Sequence, residues 1–139
     1  PYGGGSPQKW YEQNLSYIFP MIVDIEVRSA NVTDTSLDFV IDLSYSPIDG
    51  EFVTGKAYTL EVYENGQYTA VQLVISDNMA FTSEAIPISE GENWMHVDWE
   101  TFYGTLEKGK YRMGKEIGVS NPDGSQRVSS MFYTHFTIY

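Results

Sequence analysis

The run Leu106-Glu107-Lys108-Gly109-Lys110-Tyr111 constrains the fold of this chain more than any other stretch. A Tyr at the start of a strand-like run, just after a compact segment, is how a tyrosine corner looks in sequence. Its hydroxyl turns back to the backbone a few residues upstream, where the chain crosses between the two sheets of a sandwich. The run Met95, Val97, Trp99 leads into this segment, and Met113, Ile117 and Val119 continue out of it. The stretch from Val97 to Ile117 therefore specifies an architecture and no chemistry. Trp99, Leu106, Gly109 and Tyr111 are expected to be structural.

Strand periodicity supports this across the chain. Met21, Val23, Ile25 and Val27 alternate with polar residues, as do Leu37, Phe39, Ile41, Leu43 and Tyr45. Period two over such lengths predicts strands with one face on a core and one in water. Asn65-Gly66 sits between two alternating runs, Tyr58 to Val62 and Tyr68 to Ile75, and predicts a type I′ hairpin. Asp34-Thr35-Ser36, Asp49-Gly50, Glu90-Gly91 and Asn121-Pro122-Asp123-Gly124 mark further turns. Short apolar pieces lie at Met79–Thr82 and Ala85–Ile88, and a last strand carries Phe132, Phe136 and Ile138. No segment has sustained helical periodicity, although Thr101 to Leu106 suits a single helical turn.

The length of 139 residues fits one domain, large enough to bury a core without staples. Residues 1–19 read as a Gly/Ser/Pro-rich linker followed by a docking segment around Trp10, Tyr11 and Tyr17; residues 20–139 read as the sandwich. The absence of Cys removes disulfides, thiolate metal sites and a Cys nucleophile. A formal net charge of −11, with no basic stripe, argues against nucleic acid and against anionic membrane surfaces. No apolar run has the length to insert in a membrane as a helix. The opening Pro1-Tyr-Gly-Gly-Gly-Ser-Pro7 has no basic start and no apolar stretch, so an export signal or lipid anchor is expected outside this sequence.

Few constellations suggest chemistry. His96 and Asp98 share one strand face with Trp94 and supply two metal ligands at most; Zn²⁺ needs more, so no metal site is expected. The acidic loops lack the spacing of an EF-hand. No nucleophile elbow, phosphate loop or His-Glu-x-x-His is present. Neither an enzyme nor a cofactor is expected. Tyr133, His135 and Tyr139 lie on the outer face of the last strand and form a candidate aromatic strip. With Trp94 and His96 they are the candidate ligand-binding residues, for a protein or, by stacking, a glycan. Lys115 breaks the inward alternation of Tyr111, Met113 and Ile117. A bulge near Gly114 is expected to turn it outward; the alternative is an inward stem with the ammonium reaching the sheet edge.

In order along the chain stand Asn65-Gly66-Gln67-Tyr68, Asn78-Met79-Ala80-Phe81-Thr82, Val97-Asp98-Trp99 with Tyr103-Gly104, and Leu106 through Arg112 to Lys115-Glu116. Leu37 to Tyr139 thereby resembles a bacterial immunoglobulin-like domain family common in exported and lipid-anchored proteins of Gram-positive bacteria. Two departures are Glu90-Gly91-Glu92-Asn93, where the family has a Pro-Gly-Glu turn, and the long polar stretch Ser120 to Ser130. The resemblance implies an all-β, antiparallel, two-sheet immunoglobulin-like sandwich of about seven to nine strands. It also implies a place outside the cell or on its surface, a non-catalytic binding or spacer role, and no catalytic residues. Carbohydrate binding through outer-face aromatics is the alternative.

Overall fold

The computed structural model describes residues 24–45, 50–75, 84–120 and 127–139. Among them lie strands β1 (Asp24–Ala30), β2 (Ser36–Tyr45), β3 (Glu51–Thr54), β4 (Thr59–Glu64), β5 (Gln67–Ala70), β6 (Ile86–Ile88), β7 (Gly91–Asp98), β8 (Gly109–Ser120) and β9 (Arg127–Ile138). A one-turn helix α1 (Glu100–Tyr103) joins β7 to β8. Every pairing is antiparallel. One sheet has the order β1-β2-β7; the other contains the remaining six strands around β8. This is the immunoglobulin-like sandwich predicted above. The linker and docking reading of residues 1–19, the piece Met79–Thr82 and the turn at Asn121–Gly124 lie outside the described residues.

The alternating pattern does what it predicts. Leu37, Phe39, Ile41 and Leu43 of β2 face Met113, Ile117 and Val119 of β8 across the interior, with Phe52, Leu60 and Ile88 completing the packing. Burying each such side chain contributes about 1.5–3 kcal/mol, which is why a chain without disulfides needs both faces filled. The Asn65-Gly66 turn has both residues at positive φ, 53° and 81°, as a type I′ hairpin between β4 and β5 demands. The apolar run after it is shorter as a strand than its alternation suggests. β5 ends at Ala70, and Val74 N instead donates to the Phe102 carbonyl of α1.

β8 is the spine of the larger sheet. One of its edges is paired along its whole length with β9. Its other edge is shared end to end by β4, opposite Tyr111 to Gly114, and β3, opposite Ile117 to Ser120. Thr54 pairs with Ile117 and Thr59 with Gly114, so the four residues 55–58 oppose only Lys115 and Glu116. β3 and β4 are therefore one strand interrupted by a large bulge.

One end of the sandwich is closed by the corner motif. Tyr111 is buried and its hydroxyl donates to the Glu107 carbonyl at 2.6 Å. Its ring stacks on Phe136 (centroids 5.6 Å apart), which stacks on Trp99 at 5.7 Å. The Asp34 carbonyl, in the β1–β2 turn, accepts from the Trp99 indole at 3.1 Å and from Leu106 N at 2.8 Å. Gly109 opens β8 directly beneath the Tyr111 ring, where an added Cβ would lie 3.6 Å from it. Trp99, Leu106, Gly109 and Tyr111 thus tie the two sheets together at one point. Replacing Tyr111 by Phe keeps the stack and removes the hydroxyl bond. We expect a loss of about 1–2 kcal/mol, read as a lower urea midpoint at unchanged m value.

Candidate functional site

The sequence-predicted ligand residues divide between two faces, because alternation tells inward from outward but not which sheet a strand joins. Trp94 and His96 lie on β7, on the outer face of the three-stranded sheet. Trp94 is 57% exposed. It stands across from Val40, with Arg28 on the other side, and Val40 is buried although it points away from the core. One row further along, Glu26, Asp42 and Glu92 are direct cross-strand neighbours, and Arg28 reaches all three carboxylates. His96 finds its carboxylate across the sheet and not along its own strand: Nδ1 lies 2.6 Å from Asp38 Oδ1. Asn31 donates to the same Asp38 carboxylate at 2.8 Å, and these two bonds, Asn31 first, hold its pKa below the ordinary value. Asp98 instead accepts from Glu100 N at the start of α1. Among the described residues no group of three or more His, Cys, Asp or Glu side chains is arranged to hold a metal.

Tyr133 and His135 lie on β9, on the outer face of the six-stranded sheet. Their surroundings include four residues that the sequence reading did not single out as ligand residues: Arg112, Tyr68, Glu61 and Tyr63. The Arg112 guanidinium lies 4.1 Å from the Tyr133 ring centroid and 4.3 Å from that of Tyr68. Its Nε donates to Glu61 at 2.7 Å, which raises the guanidinium pKa further. His135 packs edge-on against Tyr68, which meets Tyr63 in the same way. The candidate strip is therefore a clamp, in which a cation occupies the space between two rings. Tyr139 lies beyond the end of β9 and is 96% exposed. Gly114 forms the floor beside Tyr133: a Cβ there would come within 2.5 Å of Thr59 Oγ1 and 2.7 Å of Met131 Cε. That close approach is why β8 has glycine at this position, and no bulge is present in β8, whose register with β9 is unbroken.

Lys115 accordingly points inward, against the expected outward turn. It is 3% exposed, and the bulge lies in the facing strand. Its Nζ donates to the carbonyls of Gly55 (2.5 Å) and Ala57 (2.9 Å), two backbone acceptors that the interrupted strand leaves outside the ladder. Burial pulls the ammonium's pKa down to about 8, and among the described residues it makes no ion pair to oppose that shift. Lys115 lines a cleft of about 440 Å³ between β7 and the bulge, walled by Phe39, Tyr58, Ile86, Met95 and Val97. The sequence signal for this arrangement was Gly55 beside Lys56 and Ala57, a strand break sixty residues from the Lys that satisfies it.

The profile of the bacterial Ig-like domain matches residues 20–133. The chain belongs to that family. No curated protein sequence matches it. As a member of this family, the domain is a non-enzymatic module. Its corner residues join the two sheets, and its distinctive chemistry is the buried Lys115.

That Lys makes stability depend on pH. In the folded domain the amine titrates near pH 8, against 10.5 when unfolded. Between these values the unfolded chain binds the extra proton, so stability rises with pH, by about 1.4 kcal/mol per pH unit and about 3 kcal/mol in all. Above pH 10 the trend reverses, because burial raises the hydroxyl pKa of Tyr58, Tyr103 and Tyr111 and the unfolded chain ionises first. Urea titrations from pH 7 to 11 should show this maximum in the wild type. The rise from pH 8 to 10 should be missing in Lys115→Met.

Proposed function

We propose that this Ig-like domain works outside the bacterial cell, at its surface, as a module that binds a protein partner through the outer face of the six-stranded sheet. The observation that carries this reading is the Arg112 clamp. Tyr and Arg are the residue types that anchor protein interfaces: Tyr brings large contact area with little side-chain entropy to lose, and the planar fork of Arg is pre-organised for its hydrogen bonds. Here Tyr68, Tyr133, Arg112 and Glu61 already hold one another in place. A preformed platform binds with less ordering cost than a mobile one.

A glycan partner is the second reading, and Tyr139 together with the exposed side of Tyr63 favours it. Against it, stacking a sugar needs a free ring face, and Arg112 covers one face each of Tyr68 and Tyr133. Trp94 belongs to the opposite sheet and adds nothing to this platform.

Protein and glycan arrays prepared from Gram-positive cell envelopes separate these readings. The domain and an Arg112→Ala/Tyr63→Ala variant would be applied to both. We expect protein signals that the double variant loses by tenfold or more, corresponding to about 1.4 kcal/mol or more. Glycan signals that survive Arg112→Ala alone would favour stacking on tyrosine. Two blank arrays would leave the domain a spacer.

A further inference from the structure

Lys115 has three N–H donors and uses two, on the carbonyls of Gly55 and Ala57. Among the described residues no oxygen or nitrogen accepts from the third; the nearest further contact of Nζ is the Phe39 ring, 5.7 Å from its centroid. The side chain is 3% exposed, yet it lines the cleft between β7 and the bulge. At about 440 Å³ the cleft lies within the size range of small-molecule sites. Its walls are mostly apolar: Phe39, Tyr58, Ile86, Met95 and Val97. A buried cation with one unused donor, surrounded by apolar walls, calls for a ligand with one negative oxygen and an apolar body.

We propose that this cleft binds a small apolar monocarboxylate, its carboxylate accepting from the Lys115 ammonium and its hydrocarbon lying against Met95, Val97 and Ile86. The surroundings narrow the ligand class. Lys56 also lines the cleft, but its side chain is half-exposed and lies 3.7 Å from Glu84, so the buried cation there is Lys115. A dianion would leave one charge without a partner, and it would meet a domain of net charge −11. A neutral alcohol would lose the charge-assisted bond. The remaining titratable groups lining the cleft are Tyr58, His96 and Asp98. Asp98 is engaged by Glu100 N and His96 by Asp38. Burial keeps the Tyr58 hydroxyl protonated well above neutrality. The pH dependence of binding therefore follows Lys115: a carboxylate holds the ammonium charged, and affinity falls as the amine loses its proton above about pH 8.

The test uses the domain with ¹³Cε-labelled lysine and methionine, titrated at pH 7 with hexanoate, hexan-1-ol and hexylamine. Hexanoate is expected to shift the Lys115 and Met95 signals with millimolar affinity and to raise the pH at which Lys115 titrates. The alcohol and the amine are expected to bind about tenfold more weakly or not at all, and hexanoate binding should weaken between pH 8 and 10. Lys115→Met should lose hexanoate binding tenfold or more. The wild-type comparison stands even if that variant folds poorly. Alcohol binding equal to hexanoate would reduce the cleft to an apolar dent. Unmoved Lys115 and Met95 signals with all three ligands would overturn the proposal outright.

Discussion

The ammonium of Lys115 replaces a missing piece of β-ladder. Residues 55–58 leave the register between β3 and β4, and the carbonyls of Gly55 and Ala57 turn toward the interior. An unpaired carbonyl there is costly, and so is an unpaired buried charge; together each satisfies the other. The arrangement lets one long strand, β8, hold both β3 and β4 on a single edge. Everything attached to those strands, including the β4–β5 hairpin with Tyr63 and Tyr68, is positioned through that junction. The same junction borders the cleft, which Gly55 and Tyr58 of the bulge line together with Met95 and Val97 of β7.

Which features the sequence discloses follows from how local their causes are. The type I′ turn at Asn65-Gly66 is legible because two adjacent residues determine it. The corner is legible because Tyr111 and its Glu107 acceptor are four residues apart. Inward and outward faces are legible from alternation, with Val40 and Val53 as exceptions: both point outward and are buried. Cross-strand partners are not legible, since register depends on distant pairings. His96 reads as sharing a strand face with Asp98, yet it bonds Asp38, and Trp94 and Tyr133, grouped as candidate ligand residues, lie on opposite sheets. Lys115 is misread for the same reason. The irregularity that explains it lies in 55–58, and Gly114, which invites a bulge in its own strand, is there for the contacts of Thr59 and Met131.

The outer faces show how an acidic domain uses its few cations. The chain has 8 Lys and Arg against 19 Asp and Glu. Arg28 bridges three carboxylates that lie in a row across β1, β2 and β7 and would otherwise repel one another. Arg112 pairs with Glu61 and fills the gap between two tyrosines. Both are held on flat sheet faces, where a guanidinium's planar fork matches carboxylates and ring faces in a way that an ammonium does not. Among the described residues a lysine takes the interior position, where the acceptors are backbone carbonyls and a compact group on a flexible stem is what fits.

This division of cations separates the two binding readings physically. At the clamp, charge is already neutralised by Glu61 and the rings, so a partner there gains from shape and apolar area and its affinity should respond weakly to salt. In the cleft, one cation sits behind an acidic surface. Long-range repulsion slows the approach of any anion, while the short-range bond to Lys115 rewards only one that brings a single charge and an apolar body. The surface thus filters by charge and the cleft by chemistry. The two sites share β8 but lie on opposite sides of its sheet, so a ligand in the cleft and a partner on the clamp do not compete for the same side chains.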